Sequence, residues 1–158
     1  DVTRAQFEQA GLRILVESET AGVHLATSAD GFRIVFFQGH PEYDTVSLLK
    51  EYKREVARFS KGERPDYPPL LANYFSPKAQ AILDEHRERV VAAHAQGKIV
   101  PEFPEPLIGA SLDNTWHDTA EAVIDNWVGK VYQITNHDRR LPFQQNINPN
   151  DPLGLRQR

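Results

Sequence analysis

The chain has 158 residues, 40% of them apolar and 25% charged, with a formal net charge of −4. That composition suits one soluble domain with a real core and excludes a collagen-like, disordered or membrane-spanning chain. The acidic balance argues against a basic nucleic-acid-binding face, and the absence of cysteine excludes a disulfide framework or a cysteine-based zinc site.

In chain order, Thr3 with Gln6 three residues on has the pattern of a capping box, so a short helix is expected up to Gly11. Three strands are expected next, over 12–18, 23–28 and 33–38. Ala29-Asp30-Gly31 is a turn signal that makes the last two an antiparallel hairpin. The apolar run Ile34-Val35-Phe36-Phe37 predicts a strand covered on both faces. A helix capped by Asp44 or Thr45 should then run to about Phe59, with Val46, Leu48, Leu49, Tyr52 and Val56 as its apolar stripe.

Pro65, Pro68 and Pro69 make 60–74 a loop. Ser76-Pro77 opens a second long helix that ends at Gly97, with Ala79, Ile82, Leu83, His86, Val90, Val91 and His94 on one face. Its Glu85, Arg87, Glu88 and Arg89 form a solvated face. Residues 98–112, with three prolines, read as an irregular connector. A third helix is expected over 115–132, burying Trp116, Ala120, Val123, Ile124, Trp127, Val128 and Val131. The tail after Thr135 is polar and proline-containing, and partial disorder is expected of it. Strands followed by helices read as the end of a larger α/β domain.

There is no methionine, even at position 1, and no apolar core follows Asp1-Val2-Thr3-Arg4. The expectation is a piece of a longer or processed chain, without a signal peptide and cytoplasmic by default.

His40 and Glu42 follow the third strand, where α/β sheets collect reacting groups. Pro41 biases His40 towards extended backbone, and residues two apart in such a segment point the same way. A carboxylate that accepts the Nδ1 proton leaves Nε2 as the base and stabilises the imidazolium. This is two thirds of a nucleophile–base–orienter triad, although a His beside a Glu in a loop is more commonly a surface pair. No cysteine is present, and none of the six serines lies in a Gly-x-Ser-x-Gly elbow. The nucleophile must therefore come from another polypeptide segment, or the pair is not catalytic. His86 and His94 lack a third ligand, so no metal site is expected. His24, His117 and His137 give no motif. Trp116 and Trp127 read as core residues, and Tyr43 as shaping the turn or lining a pocket.

The stretch Phe36-Phe37-Gln38-Gly39-His40-Pro41-Glu42-Tyr43-Asp44 resembles the signature of the homoserine O-acyltransferases, the succinyl-transferring enzymes and their acetyl-transferring relatives. The likeness extends through 22–27, Glu51-Tyr52-Lys53-Arg54, Asn73-Tyr74-Phe75, Asn126-Trp127 and Val131-Tyr132-Gln133-Ile134-Thr135. It implies a class I glutamine amidotransferase-like, flavodoxin-like three-layer α/β fold. Residues 1–135 would be its C-terminal portion and 136–158 a tail.

It also implies a reaction. A cysteine takes an acyl group from acyl-CoA, with succinyl-CoA expected over acetyl-CoA, and passes it to the hydroxyl of L-homoserine in methionine biosynthesis. His40 matches the general base, Glu42 its orienting carboxylate, and Arg54 the arginine that holds the homoserine carboxylate. The acyl-CoA is a co-substrate, and no bound cofactor is implied. The cysteine and oxyanion hole would lie in a missing N-terminal part, so this chain alone should be inactive. A homodimer is usual for the family. Two alternatives stay open: a glutamine amidotransferase-like hydrolase, and a non-catalytic interaction fragment.

Overall fold

A computed structural model describes residues 2–155. Asp1 and the last three residues of the expected tail lie outside the described residues. The chain is mixed α/β: α1 (Arg4–Gln9), β1 (Arg13–Ser18), β2 (Gly22–Thr27), β3 (Val35–Phe37), α2 (Ser47–Ser60), α3 (Pro77–Ala95), α4 (Glu105–Gly109) and α5 (His117–Ile134). These fall into two compact units. One comprises residues up to Glu42 and from Trp116 onward, the other Tyr43–Thr115.

In the first unit, the expected capping box closes α1: Thr3 accepts from the Gln6 amide while the Gln6 side chain accepts from the Thr3 amide. Phe7 of this helix packs on Val23 and Ala26 of the sheet. The sheet is entirely antiparallel, in the order β1-β2-β3, with Leu25 opposite Phe37 and Thr27 opposite Val35. The Asp30 turn joins β2 to β3. Its Oδ1 accepts from Ser28 Oγ and from the amides of Phe32 and Arg33, and Gly31 supplies the positive φ of 77°.

Two expectations fail here. β3 is only three residues long and is an edge strand, with Ile34, just before it, 53% exposed and Phe36 exposed as well. The stripe of α5 is not buried either: Ile124, Trp127 and Val128 are exposed, and only Ile134 of the helix is buried. Periodicity identifies an apolar face, but burial also needs a partner for that face. The tail departs from expected disorder in the other direction. Phe143, with Ile147 and Leu153, packs on Phe32 and Ile134, and the Gln144 amide donates to Ile134 O at 3.0 Å. Its prolines leave it irregular, yet its spaced apolar residues anchor it.

The second unit is helical. Leu49, Tyr52 and Val56 of α2 meet Phe75, Ala79 and Leu83 at the start of α3 and Ile108 of α4. Ser76 caps α3 by accepting from the Ala79 amide at 3.2 Å, with Pro77 in the first turn. Along α3 the buried positions are Ala79, Leu83, His86 and Val90; His94 continues that face, exposed but with its ring 4.7 Å from that of Phe59, whereas Val91 is exposed. α4 was not expected. Its Pro106 sits in the first turn, where a missing amide proton costs nothing.

Candidate functional site

The site is built at the end of β3. The Gln38 amide donates to His24 O at 3.0 Å, carrying the β2–β3 pairing one residue past the strand. The Gln38 side chain then locks this end of the sheet. Its Nε2 donates to Val23 O at 2.8 Å and to Val2 O at 2.9 Å, and its Oε1 accepts from the Val2 amide at 2.7 Å. Gly39 lies under the His24 ring, and a Cβ there would come within 3.1 Å of His24 Cε1. His24, a residue without an expected role, thus packs against the loop that carries His40.

His40 Nδ1 and Glu42 Oε1 are 2.8 Å apart. The route differs from the expected one. Pro41 and Glu42 form a turn rather than continued extended chain, so the carboxylate folds back to the imidazole. The hydrogen bond to His40 holds the Glu42 carboxyl below the usual carboxylate range. Glu42 is therefore ionised at neutral pH and accepts the Nδ1 proton. In the neutral imidazole this puts the hydrogen on Nδ1. The His40 and Glu42 side chains are 60% and 67% exposed.

Tyr43, Asp44 and Arg54 lie in the second unit. Tyr43 Oη donates to Glu51 Oε1 at 2.8 Å, and Tyr43 O accepts from Asn114 Nδ2 at 3.3 Å. Asp44 Oδ1 accepts from the Val46 amide and Ser47 Oγ, so it organises the turn ahead of α2 rather than capping the helix itself. Arg54 is in the middle of α2, largely exposed, with Nε 3.7 Å from Glu55 Oε1. Glu55 also pairs with Arg58 at 3.3 Å and Arg64 at 3.0 Å. Burial pushes the Glu55 carboxyl up, but the three arginines outweigh it and hold it low. Arg58 also lies 3.8 Å from Glu63, so three guanidiniums meet two carboxylates and the cluster at the end of α2 keeps a net positive charge.

Sequence reasoning missed the Gln38 clamp and the His24–Gly39 contact. The only signal was a polar residue closing an apolar run, followed by glycine. Among the described residues, no group of three His, Asp or Glu is arranged to hold a metal ion, and no helix is long and apolar enough to cross a membrane.

Comparison with known proteins adds what geometry cannot. The family model for homoserine O-succinyltransferase matches residues 1–137. A homoserine O-succinyltransferase of Allochromatium vinosum is 67% identical over 98% of this chain. Those of Thioalkalivibrio nitratireducens and Nitrosococcus oceani are 64% and 62% identical over 98% and 99% of it. The chain spans only 43%, 43% and 44% of the length of these three relatives. No solved structure matches it.

Proposed function

The chain belongs to the homoserine O-succinyltransferase family, and from that membership we propose that it carries the base half of an acyltransferase active site. The observation that carries this reading is the 2.8 Å contact between His40 Nδ1 and Glu42 Oε1 at the end of β3. In this reading a cysteine thiolate, supplied by polypeptide outside these residues, attacks the thioester carbonyl of an acyl-CoA. CoA leaves as its thiolate and takes a proton from the His40 imidazolium, so that an acyl-cysteine and a neutral imidazole remain. The hydroxyl of L-homoserine then attacks that carbonyl while His40 Nε2 takes its proton. The C–S bond breaks, O-acylhomoserine leaves, and the cysteine is regenerated.

Glu42 keeps His40 in the reactive tautomer and stabilises the imidazolium between the two proton transfers. Arg54 takes the homoserine carboxylate through its two-pronged guanidinium, and the locally positive stretch of α2 supports an anionic ligand there. The succinyl transfer in the relatives' names supports succinyl-CoA as donor over acetyl-CoA, and in this reading the reaction serves methionine biosynthesis. The whole domain would take the glutamine amidotransferase-like fold, of which residues 1–135 form the C-terminal portion. A cytoplasmic homodimer completes the reading, and residues 1–158 alone would be inactive for want of the cysteine.

The test is His40→Ala in the full-length protein, assayed with succinyl-CoA and L-homoserine by release of free thiol. Loss of at least about 100-fold in kcat, with the far-UV spectrum unchanged, is expected from removing a general base. Near-normal turnover would overturn the assignment. Ammonia release from glutamine by the unmodified protein would favour amidotransferase chemistry instead.

A further inference from the structure

The His40–Glu42 contact joins two residues of one short loop, so it orients the imidazole without fixing where the loop itself stands. That position depends on the end of β3. The strand contributes only Val35–Phe37 to the sheet, and β2 is its neighbour among the described residues. Past Leu25 and Phe37 the pairing continues by the 3.0 Å bond from the Gln38 amide to His24 O. His40 follows two residues later, ahead of the Pro41-Glu42 turn. A strand end with so few ladder bonds opens locally unless something else holds it.

The Gln38 carboxamide does that holding. Its Oε1 accepts from the Val2 amide at 2.7 Å while its Nε2 donates to Val2 O at 2.9 Å. The side chain thus exchanges both hydrogen bonds with one residue, as two paired strand residues do. Nε2 also donates to Val23 O at 2.8 Å, in β2. Three bonds tie the strand end to two separate segments. A carboxylate has no donor for the two carbonyls, and asparagine is one methylene shorter. A second contact leaves the loop little slack. The His24 ring stands edge-on to Phe37, with centroids 5.8 Å apart, and a Cβ on Gly39 would meet its Cε1 at 3.1 Å. A displaced Gln38 therefore carries Gly39 and His40 with it.

We propose that Gln38 is a positioning residue for His40. Its three hydrogen bonds set the point at which residues 39–42 leave the sheet, and so where the imidazole meets the proton it removes. This rests on the reading of His40 as the general base, and adds what places that base. Nε2 of a base must lie within hydrogen-bond reach of its proton, and a misplacement of about 1 Å can cost about 100-fold in rate. Glu42 cannot supply that placement, because it rides on the same loop as His40. Gln38 supplies it through the backbone of Gly39, anchored outside the loop at Val2 and Val23. Arg54 stands in the other unit, so the clamp acts on the base and not on the binding of homoserine.

The test is Gln38→Met in the full-length protein, which keeps the reach of the side chain and removes all three bonds. Gln38→Glu, whose carboxylate faces two carbonyls, is the second variant. Both are assayed with succinyl-CoA and L-homoserine beside His40→Ala and the double variant Gln38→Met/His40→Ala, with far-UV spectra fixing the folded fraction. In each Gln38 variant kcat should fall about 10–100-fold while KM for either substrate changes less than about twofold. In the His40→Ala background the same Gln38→Met change should cost nothing further, since no imidazole is left to place. An equal fractional loss with and without His40 would reduce Gln38 to a structural residue and overturn the proposal. Turnover within twofold of the parent in both variants would do the same. Nitrogen-15 spectra of the histidine rings read the geometry independently of turnover. The His40 signals should shift in Gln38→Met while those of His86, in the second unit, stay in place, and unmoved His40 signals would also overturn the proposal. Near-parental turnover of His40→Ala would instead strike the general-base reading itself, which failure of the Gln38 variants alone leaves standing.

Discussion

Replacing His86 with phenylalanine isolates what a buried imidazole does to the helical unit. His86 is 4% exposed and stands edge-on to Phe103, with ring centroids 5.3 Å apart. Neither ring nitrogen reaches hydrogen-bonding geometry. Burial lowers the pKa of the imidazole below its usual 6.5. The carbonyls of Pro101 and Glu102, alongside, oppose this in part, and the charge of Arg89 adds to it. The unfolded chain therefore binds a proton that the folded chain refuses, over the interval between 6.5 and the lower folded value. His86 imposes no acid penalty above that interval. Within it, stability falls as pH falls, by up to about 1.4 kcal/mol per pH unit. Phenylalanine has no proton to bind. It also removes an unsatisfied buried polar ring that costs about 1–3 kcal/mol, against an overpacking cost of similar size. The two proteins should thus be close in stability at pH 7.5. Urea unfolding followed by far-UV circular dichroism at pH 7.5, 6.5 and 5.5 reads the difference, since every carboxylate contribution cancels between them. The variant should gain on the parent as the pH drops. Parallel acid losses in the two proteins would refute the reasoning.

Leu83→Ala should cost about 2–5 kcal/mol in the same assay, because Leu83 is fully buried among Leu49, Tyr52 and Ile108 in the core of that unit. A loss below about 1 kcal/mol would mean that this core is not packed as described. Glu42→Gln in the full-length protein should lower kcat by about 10²–10⁴-fold and leave KM for homoserine nearly unchanged, since the amide no longer enforces the reactive tautomer. Equal kcat values would reduce the pair to a surface contact. Arg54→Lys should raise KM for homoserine by about 10–100-fold, the worth of a lost two-pronged charged hydrogen bond of about 1.5–3 kcal/mol. A change confined to the acyl-CoA would place Arg54 at the other substrate.

Where one residue's chemistry decides its local structure, the sequence was sufficient. Thr3 with Gln6, Ser76 with Pro77, and Asp30 with Gly31 each formed the turn or cap that their side chains dictate. The His40–Glu42 contact was legible for the same reason, although it is made by a turn. What stayed hidden depends on distant partners. Pro104 and Pro106 signal irregular chain, and only the packing of Ile108 on the α2–α3 core makes a helical turn there worthwhile. The clamp made by Gln38 spans 36 residues to Val2, which no local pattern encodes. The apolar stripe of α5 and the apolar run of β3 were expected to be buried and are largely exposed, because periodicity marks an apolar face without showing what packs on it.

That last discrepancy bears on the chemistry of the site. In water, two unit charges 4 Å apart interact by only about 1 kcal/mol, and at an effective dielectric of 20 by about 4 kcal/mol. Both side chains of the His40–Glu42 pair are more than half exposed, so water screens the contact between them. In the proposed mechanism the pair becomes effective when water is excluded and fixed dipoles replace it. His40 follows Phe37, the last residue of β3, by three positions. Covering β3 should lower the solvent exposure of His40 and strengthen its contact with Glu42 together. Proton NMR of the full-length protein tests this: a strongly downfield Nδ1–H resonance of His40, slow to exchange with water, is expected. A resonance already averaged with water at low temperature would show that the pair stays solvated and that the edge is closed, if at all, without consequence for the base.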